Sequence, residues 1–223
     1  AGHKVLVIGD WGQEKSSSSR PGQEMTARAM GKYLEDNSET KYIVSTGDNF
    51  YSDGVTSPES ERFDTSWREV YWVDDYPVMR SLTWYISVGN HDHTDNEDEL
   101  HQVTFGISED QWEFDNLWHS WEDFENGFSV LWVVVDTQSM RHDKHDVEAQ
   151  LQWFEETIAS SNADYKIVVG HHTMYAAGRY PGSTTVRRMI QDIMEQYNVD
   201  IYICGHDHNL QHTRIKDAGS QEH

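Results

Sequence analysis

Five short apolar runs in this chain each end in a glycine followed at once by a metal-binding type of residue. VLVIGD ends at Asp10, YIVSTGD at Asp48, WYISVGN at Asn90, KIVVGH at His171 and IYICGHDH at His206 and His208. Carboxylates, imidazoles and an amide suit borderline divalent and trivalent cations. They are more donors than one four-coordinate ion needs. A carboxylate can bridge, so the set points to two ions sharing an aspartate, an arrangement that grips a phosphoryl group and ionises water. Tyr51 lies three residues after Asp48. A phenol with an ordinary pKa of about 10 is best ionised at lower pH by a highly charged ion such as ferric iron.

Each residue alone has a plainer reading. Asp10 and Asp48 could cap helices or sit in turns, and Asn90 could occupy a left-handed turn. His171 could be a satisfied core histidine, and Tyr51 could simply pack at a loop. The paired His206 and His208 resist dismissal, since one intervening residue lets two imidazoles at a strand end face the same way. The joint occurrence of all these steps in one chain favours a single assembled site.

The elements that must position these residues are legible in outline. Strands are expected near 4–8, 42–46, 84–88, 128–135, 165–169 and 200–204. Glycine is expected to let the backbone turn at each strand end. Helices are expected over 22–36, after a serine-rich loop at 16–19, and over 146–160 and 184–197. In the last two, Val147, Leu151, Phe154 and Ile158, and Val186, Ile190, Ile193 and Tyr197, form apolar stripes. Ser183 or Thr184 can cap the last helix. Continuously apolar strands alternating with helices indicate an α/β architecture. Residues 93–127 are acidic, with Trp112, Trp118 and Trp121 among them. They read as an excursion that rims the site, or equally as large aromatics packed into the core.

The 223 residues suffice for one domain, expected to span 1–223, and contain no apolar stretch of transmembrane length. Seventeen Lys+Arg against 39 Asp+Glu give a net charge of −22. That balance opposes binding to nucleic acid or an anionic membrane through broad electrostatics. The single cysteine, Cys204, permits no intrachain disulfide and reads as a buried structural thiol.

The blocks GDWG, GDNFY, GNHDH, VVGH and GHDHN resemble those of the metallophosphoesterase superfamily, over residues 5–211. The tyrosine of the second block makes the chain similar to purple acid phosphatases, and the whole string resembles their short mammalian-type, tartrate-resistant members. This resemblance implies a four-layer αββα sandwich of the calcineurin-like type. It implies acid hydrolysis of small phosphate monoesters, with phosphate as product, through attack of a metal-bound hydroxide. Ferric iron would be held by Asp10, Tyr51, His208 and bridging Asp48. A second metal (iron, zinc or manganese) would be held by Asp48, Asn90, His171 and His206. His91 would contact the phosphate and protonate the leaving oxygen, with His93 a second candidate or else a supporting group. Asp92 and Asp207 would orient their neighbours. A secreted or endomembrane-lumen location follows from the same resemblance. The alternatives are a non-iron dinuclear phosphodiesterase or nucleotidase, which Tyr51 disfavours, and a non-catalytic acidic cation-binding protein.

Three departures from the family pattern stand out. Tyr180 occupies a position nine residues after His171 where short members carry histidine, and His172 stands where tyrosine is usual. His91, His93 or His172 therefore remain open as the acid. TQSMRHDKHD, between Asp136 and the helix at 146, is shorter than the mammalian loop that restrains activity. The sequence ends at His223, where the family continues with another strand, so the last strand or strands are expected to be missing.

Overall fold

A computed structural model describes residues 4–94 and 97–214. Its strands are β1 (Leu6–Ile8), β2 (Tyr42–Ser45), β3 (Thr83–Tyr85), β4 (Trp112–Glu113), β5 (His119–Glu125), β6 (Phe128–Val134), β7 (Tyr165–Val169) and β8 (Ile201–Ile203). The principal helices are α1 (Arg20–Asp36), α2 (Glu99–Gly106), α3 (Thr137–His142), α4 (Val147–Ser160) and α5 (Thr184–Gln196). The first sheet runs β1-β2-β3-β4 and the second β5-β6-β7-β8. All neighbours pair in parallel except β5 and β6, which form an antiparallel hairpin.

The alternation of side chains along each strand explains the layering. On β2, Tyr42 and Val44 face a cluster shared with Val130, Trp132 and Val134 of β6 and Val169 of β7, so these residues fill the space between the sheets. Ile43 turns the other way, into the core that holds Ala27, Met30 and Leu34 of α1. On β6, Leu131 and Val133 likewise turn outward, toward Phe154 and Ile158 of α4 and Val186 and Ile190 of α5. Both faces of these strands are covered, which is why they read as unbroken apolar runs. The result is helix, sheet, sheet, helix: the expected four-layer sandwich.

Several expected elements coincide with the structure, including the cap, where Ser183 Oγ accepts from the Val186 amide of α5. The segment 93–127 contributes α2, β4 and β5 to the body of the fold, and Trp112 is fully buried. Trp121 lies parallel to Trp132, with ring centroids 5.5 Å apart, and stacks on Tyr85. The restraining-loop position forms α3, capped by Asp136, followed by left-handed residues at Asp143, His145 and Asp146. The expected loss of a final strand falls on residues 215–223, outside the described residues. No helix among the described residues is long and apolar enough to cross a membrane.

Candidate metal centre

Parallel pairing brings the carboxyl ends of β1, β2, β3, β7 and β8 to one edge of the sandwich, since Ile8 pairs with Ser45, Val44 with Tyr85, and Val169 with Ile203. In open α/β sheets such an edge is the usual ligand-binding crevice. The loops there are tied to one another. The Asp10 amide donates to the Gly47 carbonyl at 2.9 Å, and the Gly205 amide to the His171 carbonyl at 3.0 Å.

The glycines act differently from the expectation that each one makes the turn. Of the step glycines only Gly47 has positive φ, +93°. The turn otherwise falls on the donors themselves: Asp10, Asp48 and His206 have φ of 59°, 52° and 71°. Such left-handed non-glycine residues cost of order 1–3 kcal/mol each and cluster where packing over-determines them. The glycine at 89 is required by space instead, because a Cβ there would lie 2.2 Å from Asp48 Oδ1.

The expected donors converge. Tyr51 Oη lies 3.1 Å from Asp48 Oδ2, 3.3 Å from Asp10 Oδ1 and 3.0 Å from His208 Nε2. His208 Nε2 lies 3.2 Å from Asp10 Oδ1. On the other side of Asp48, His171 Nε2 lies 3.3 Å from Asp48 Oδ2 and 3.2 Å from Asn90 Oδ1. The His206 ring packs against the His171 ring, with centroids 5.1 Å apart. Asp48 Oδ2 therefore stands between two groups of donors, one of Asp10, Tyr51 and His208, the other of Asn90, His171 and His206.

Surrounding groups fix how these donors present themselves. His171 Nδ1 lies 2.9 Å from the Thr46 carbonyl, which sets the ring orientation and turns Nε2 toward Asp48. The Asp10 carboxylate accepts the His206 amide, and Asp48 Oδ1 accepts the His91 amide at 2.8 Å. Burial works to raise the Asp48 carboxyl pKa, but the hydrogen bond with His171 outweighs it and holds the pKa low. Burial and then the charge of His171 push His206 down to about 4, which keeps that imidazole neutral and free to bind a cation. Burial and the charges of Asp48 and Asp10 push the Tyr51 phenol far above its ordinary value. A phenolate at that spot requires a strongly charged cation beside it. A phenol, two carboxylates, an amide and three imidazoles, with Nε2 of His171 3.3 Å from Asp48 and Nε2 of His208 3.2 Å from Asp10, fit a pair of such cations.

The histidines proposed as acids separate clearly. His91 lies beside the cluster, its ring 4.6 Å from that of Tyr51, with Nδ1 2.6 Å from the Ser52 carbonyl. His93 does not join it. Its ring is fully buried, with Nδ1 3.2 Å from Glu99 and Nε2 3.1 Å from Asp136, so both ring nitrogens face those carboxylates rather than the cluster. His172 is also held away from that task. Its Nδ1 meets Thr137 Oγ1 at 3.0 Å, and burial, then the charge of His171, depresses its pKa strongly. The Tyr180 ring lies tilted beside that of His206, centroids 5.0 Å apart, and Asp207 accepts the amides of Arg179 and Tyr180, so it holds the loop carrying them. Asp92 orients the ligand loops from below, accepting amides of Asn49, Phe50 and Gly89.

Two supports have no signature in the sequence. Arg62 donates to the carbonyls of Gly12 and Tyr51, joining the first two ligand loops. Thr137 Oγ1 accepts the amides of both His171 and His172. Both act through backbone groups, which no spacing rule marks.

The model of the calcineurin-like phosphoesterase family matches residues 3–210. The chain is 26% identical to tartrate-resistant acid phosphatase type 5 of rabbit (Oryctolagus cuniculus), over 96% of this chain and 70% of that protein. It is 30% identical to purple acid phosphatase 17 of Arabidopsis thaliana, over 97% of this chain and 65% of that protein. Among solved structures, GAP50, the anchor in the inner membrane complex of Plasmodium, superposes with a TM-score of 0.77 at 22% identity, over 92% of this chain and 66% of that one. Purple acid phosphatase PPD1 of yellow lupin superposes at 0.63 and 17% identity, over 92% of this chain and 37% of that one. The structural likenesses establish the fold, while the matched family model and the donors at the sheet edge establish more: the chain belongs to the calcineurin-like phosphoesterase family and resembles its purple acid phosphatases over almost its entire length.

Proposed function

We propose that this protein is an acid phosphatase of the purple type, hydrolysing small phosphate monoesters at a mixed-valence-capable pair of metal sites. The observation that carries the reading is Asp48 Oδ2 standing between two donor groups, with the Tyr51 phenol in one of them. Fold alone does not decide activity, so these donors bear the argument. Asp10, Tyr51, His208 and Asp48 would hold ferric iron, and Asp48, Asn90, His171 and His206 a second iron, zinc or manganese ion. When bound, such a pair supplies Lewis acidity toward phosphoryl oxygens and acidifies the attacking water.

The chain's own residues contribute positioning and a proton. Thr46 and Asp92 hold the ligand loops, so the donors meet a phosphoryl group without rearranging. His91 is the residue best placed to protonate the leaving oxygen. The Ser52 carbonyl orients its ring, and an imidazolium suits that task at acidic pH. The charge that such a pair supplies when bound would offset the overall −22 at the site where phosphate must approach. The secreted or lumenal location is part of the same reading.

Purified protein assayed at acidic pH is expected to hydrolyse p-nitrophenyl phosphate in preference to its bis-ester, and to lose that activity on exhaustive chelation. Preference for the diester, with a colourless zinc or manganese form, would favour the phosphodiesterase alternative. His91→Ala is expected to lower kcat about 10²-fold or more while leaving metal content unchanged. Parallel loss of both would make His91 a structural residue.

A further inference from the structure

A second group of donors converges away from the ligands described above. His93 follows Asp92 on the loop after β3, Glu99 opens α2, and His145 sits on the turn between α3 and α4. The side chains of His93 and Glu99 are fully buried, and that of His145 is 15% exposed. His93 Nδ1 lies 3.2 Å from Glu99 Oε1, and the same oxygen contacts His145 Nε2. One donor atom from each of the three lies within 4.8 Å of the others.

Two features distinguish this group from a simple buried ion pair. Glu99 Oε2 is buried and has no hydrogen-bond partner among the described residues, and neither ring nitrogen of His93 is aligned for a hydrogen bond to the carboxylate it approaches. A buried carboxylate oxygen without a donor is costly unless a cation meets it. The second feature lies behind His93. Its Nε2 is 3.1 Å from Asp136 Oδ2, and that carboxylate is fixed by the amides of Gln138 and Ser139 and the Ser139 hydroxyl. A carboxylate in this place takes the far N–H of an imidazole and leaves the near lone pair for a metal, the usual support of a metal-bound histidine. Nε2 faces Asp136 and Nδ1 faces the Glu99 oxygen, so positive charge must lie between Nδ1 and that oxygen: a proton, which burial opposes but Asp136 and Glu99 favour, raising the His93 pKa to about 10, or a metal ion in its place.

We propose that His93, Glu99 and His145 form a third cation site, separate from the bridged centre, for a divalent ion of the zinc class. Two imidazoles and a carboxylate are zinc donors, and the free Glu99 oxygen or a water completes a tetrahedral set. The ion's charge balances the buried carboxylates Glu99 and Asp136. The site ties the loop that carries Asn90 and His91 to the turn between α3 and α4. It thereby fastens a loop of the first sheet to one of the second. It stands independently of the phosphatase reading.

Zinc equilibrium dialysis with elemental analysis tests the proposal. The wild-type chain is expected to retain about three equivalents of metal and His145→Ala about two. In a chain whose bridged centre is disabled by Asp48→Ala and His171→Ala, zinc is expected to remain bound at about one equivalent and to raise Tm. Adding His145→Ala to that chain is expected to abolish both effects. Equal stoichiometry with and without His145→Ala would overturn the site, as would a Tm loss in His145→Ala that zinc does not influence, which marks an ion pair alone. Should chains carrying His145→Ala fail to fold, zinc binding by the Asp48→Ala/His171→Ala chain decides: one equivalent retained supports the site, and none overturns it.

Discussion

Asp48→Ala is expected to reduce phosphomonoester hydrolysis about 10³-fold or more and to deplete metal from both halves of the centre. The size of the effect follows from where the side chain stands. Oδ2 lies 3.1 Å from the Tyr51 phenol and 3.3 Å from His171 Nε2, so it belongs to both donor groups, while Oδ1 accepts the His91 amide. Its removal therefore opens both cation positions and frees the loop that carries His91. The neighbouring carboxylate cannot replace it, since Asp10 is engaged with the His206 amide and with Tyr51. Elemental analysis beside kcat checks the outcome. Full activity with both metals retained would show that Asp48 does not bridge.

The second large effect concerns stability. Asp92→Ala is expected to destabilise the fold by about 3–5 kcal/mol, because its loss leaves several buried donors unpaired at about 1–3 kcal/mol each. The carboxylate is fully buried and accepts the amides of Asn49 at 2.9 Å, Phe50 at 3.1 Å and Gly89 at 2.8 Å, together with Gln102 Nε2 at 2.9 Å. Burial, and then the charge of Asp48, raises its pKa to about 6 against the pull of those hydrogen bonds. Asp92→Asn keeps a carbonyl acceptor and is expected to cost less. Urea unfolding of both variants, metal-free and metal-loaded, measures the difference. A loss below about 1 kcal/mol in Asp92→Ala would mean that water replaces the carboxylate at these amides.

What could be read from the sequence has a physical basis. Strands covered on both faces must be apolar, so the inner strands β2, β6 and β7 stand out in the sequence, and the edge strands β1 and β8 share the pattern; the donors of β1, β2, β7 and β8 follow within five residues of the strand end. Strand β5 does not stand out. HSWEDFE is an edge strand that turns His119, Trp121 and Asp123 inward and carries Ser120, Glu122 and Phe124 outward, and its charges read as loop. The sequence pattern places the turns on glycine, but Asp10, Asp48 and His206 adopt the left-handed backbone themselves, a strain visible only once the loops are packed. His93 misled for a related reason. Two residues after His91 it shares the loop but not the cluster, because the chain turns inward at Asp92 and carries the imidazole to Glu99 and Asp136. Those partners lie six and 43 residues away in sequence, beyond the reach of any local pattern.

The central claim is a phenolate-bound ferric ion at a hydrolytic centre. Visible absorption of the purified protein, recorded with its activity at acidic pH, tests it most directly. The account predicts a pink or purple protein whose tyrosinate-to-iron band disappears in Tyr51→Phe while the folded chain persists. A colourless wild-type protein with full phosphatase activity would contradict it.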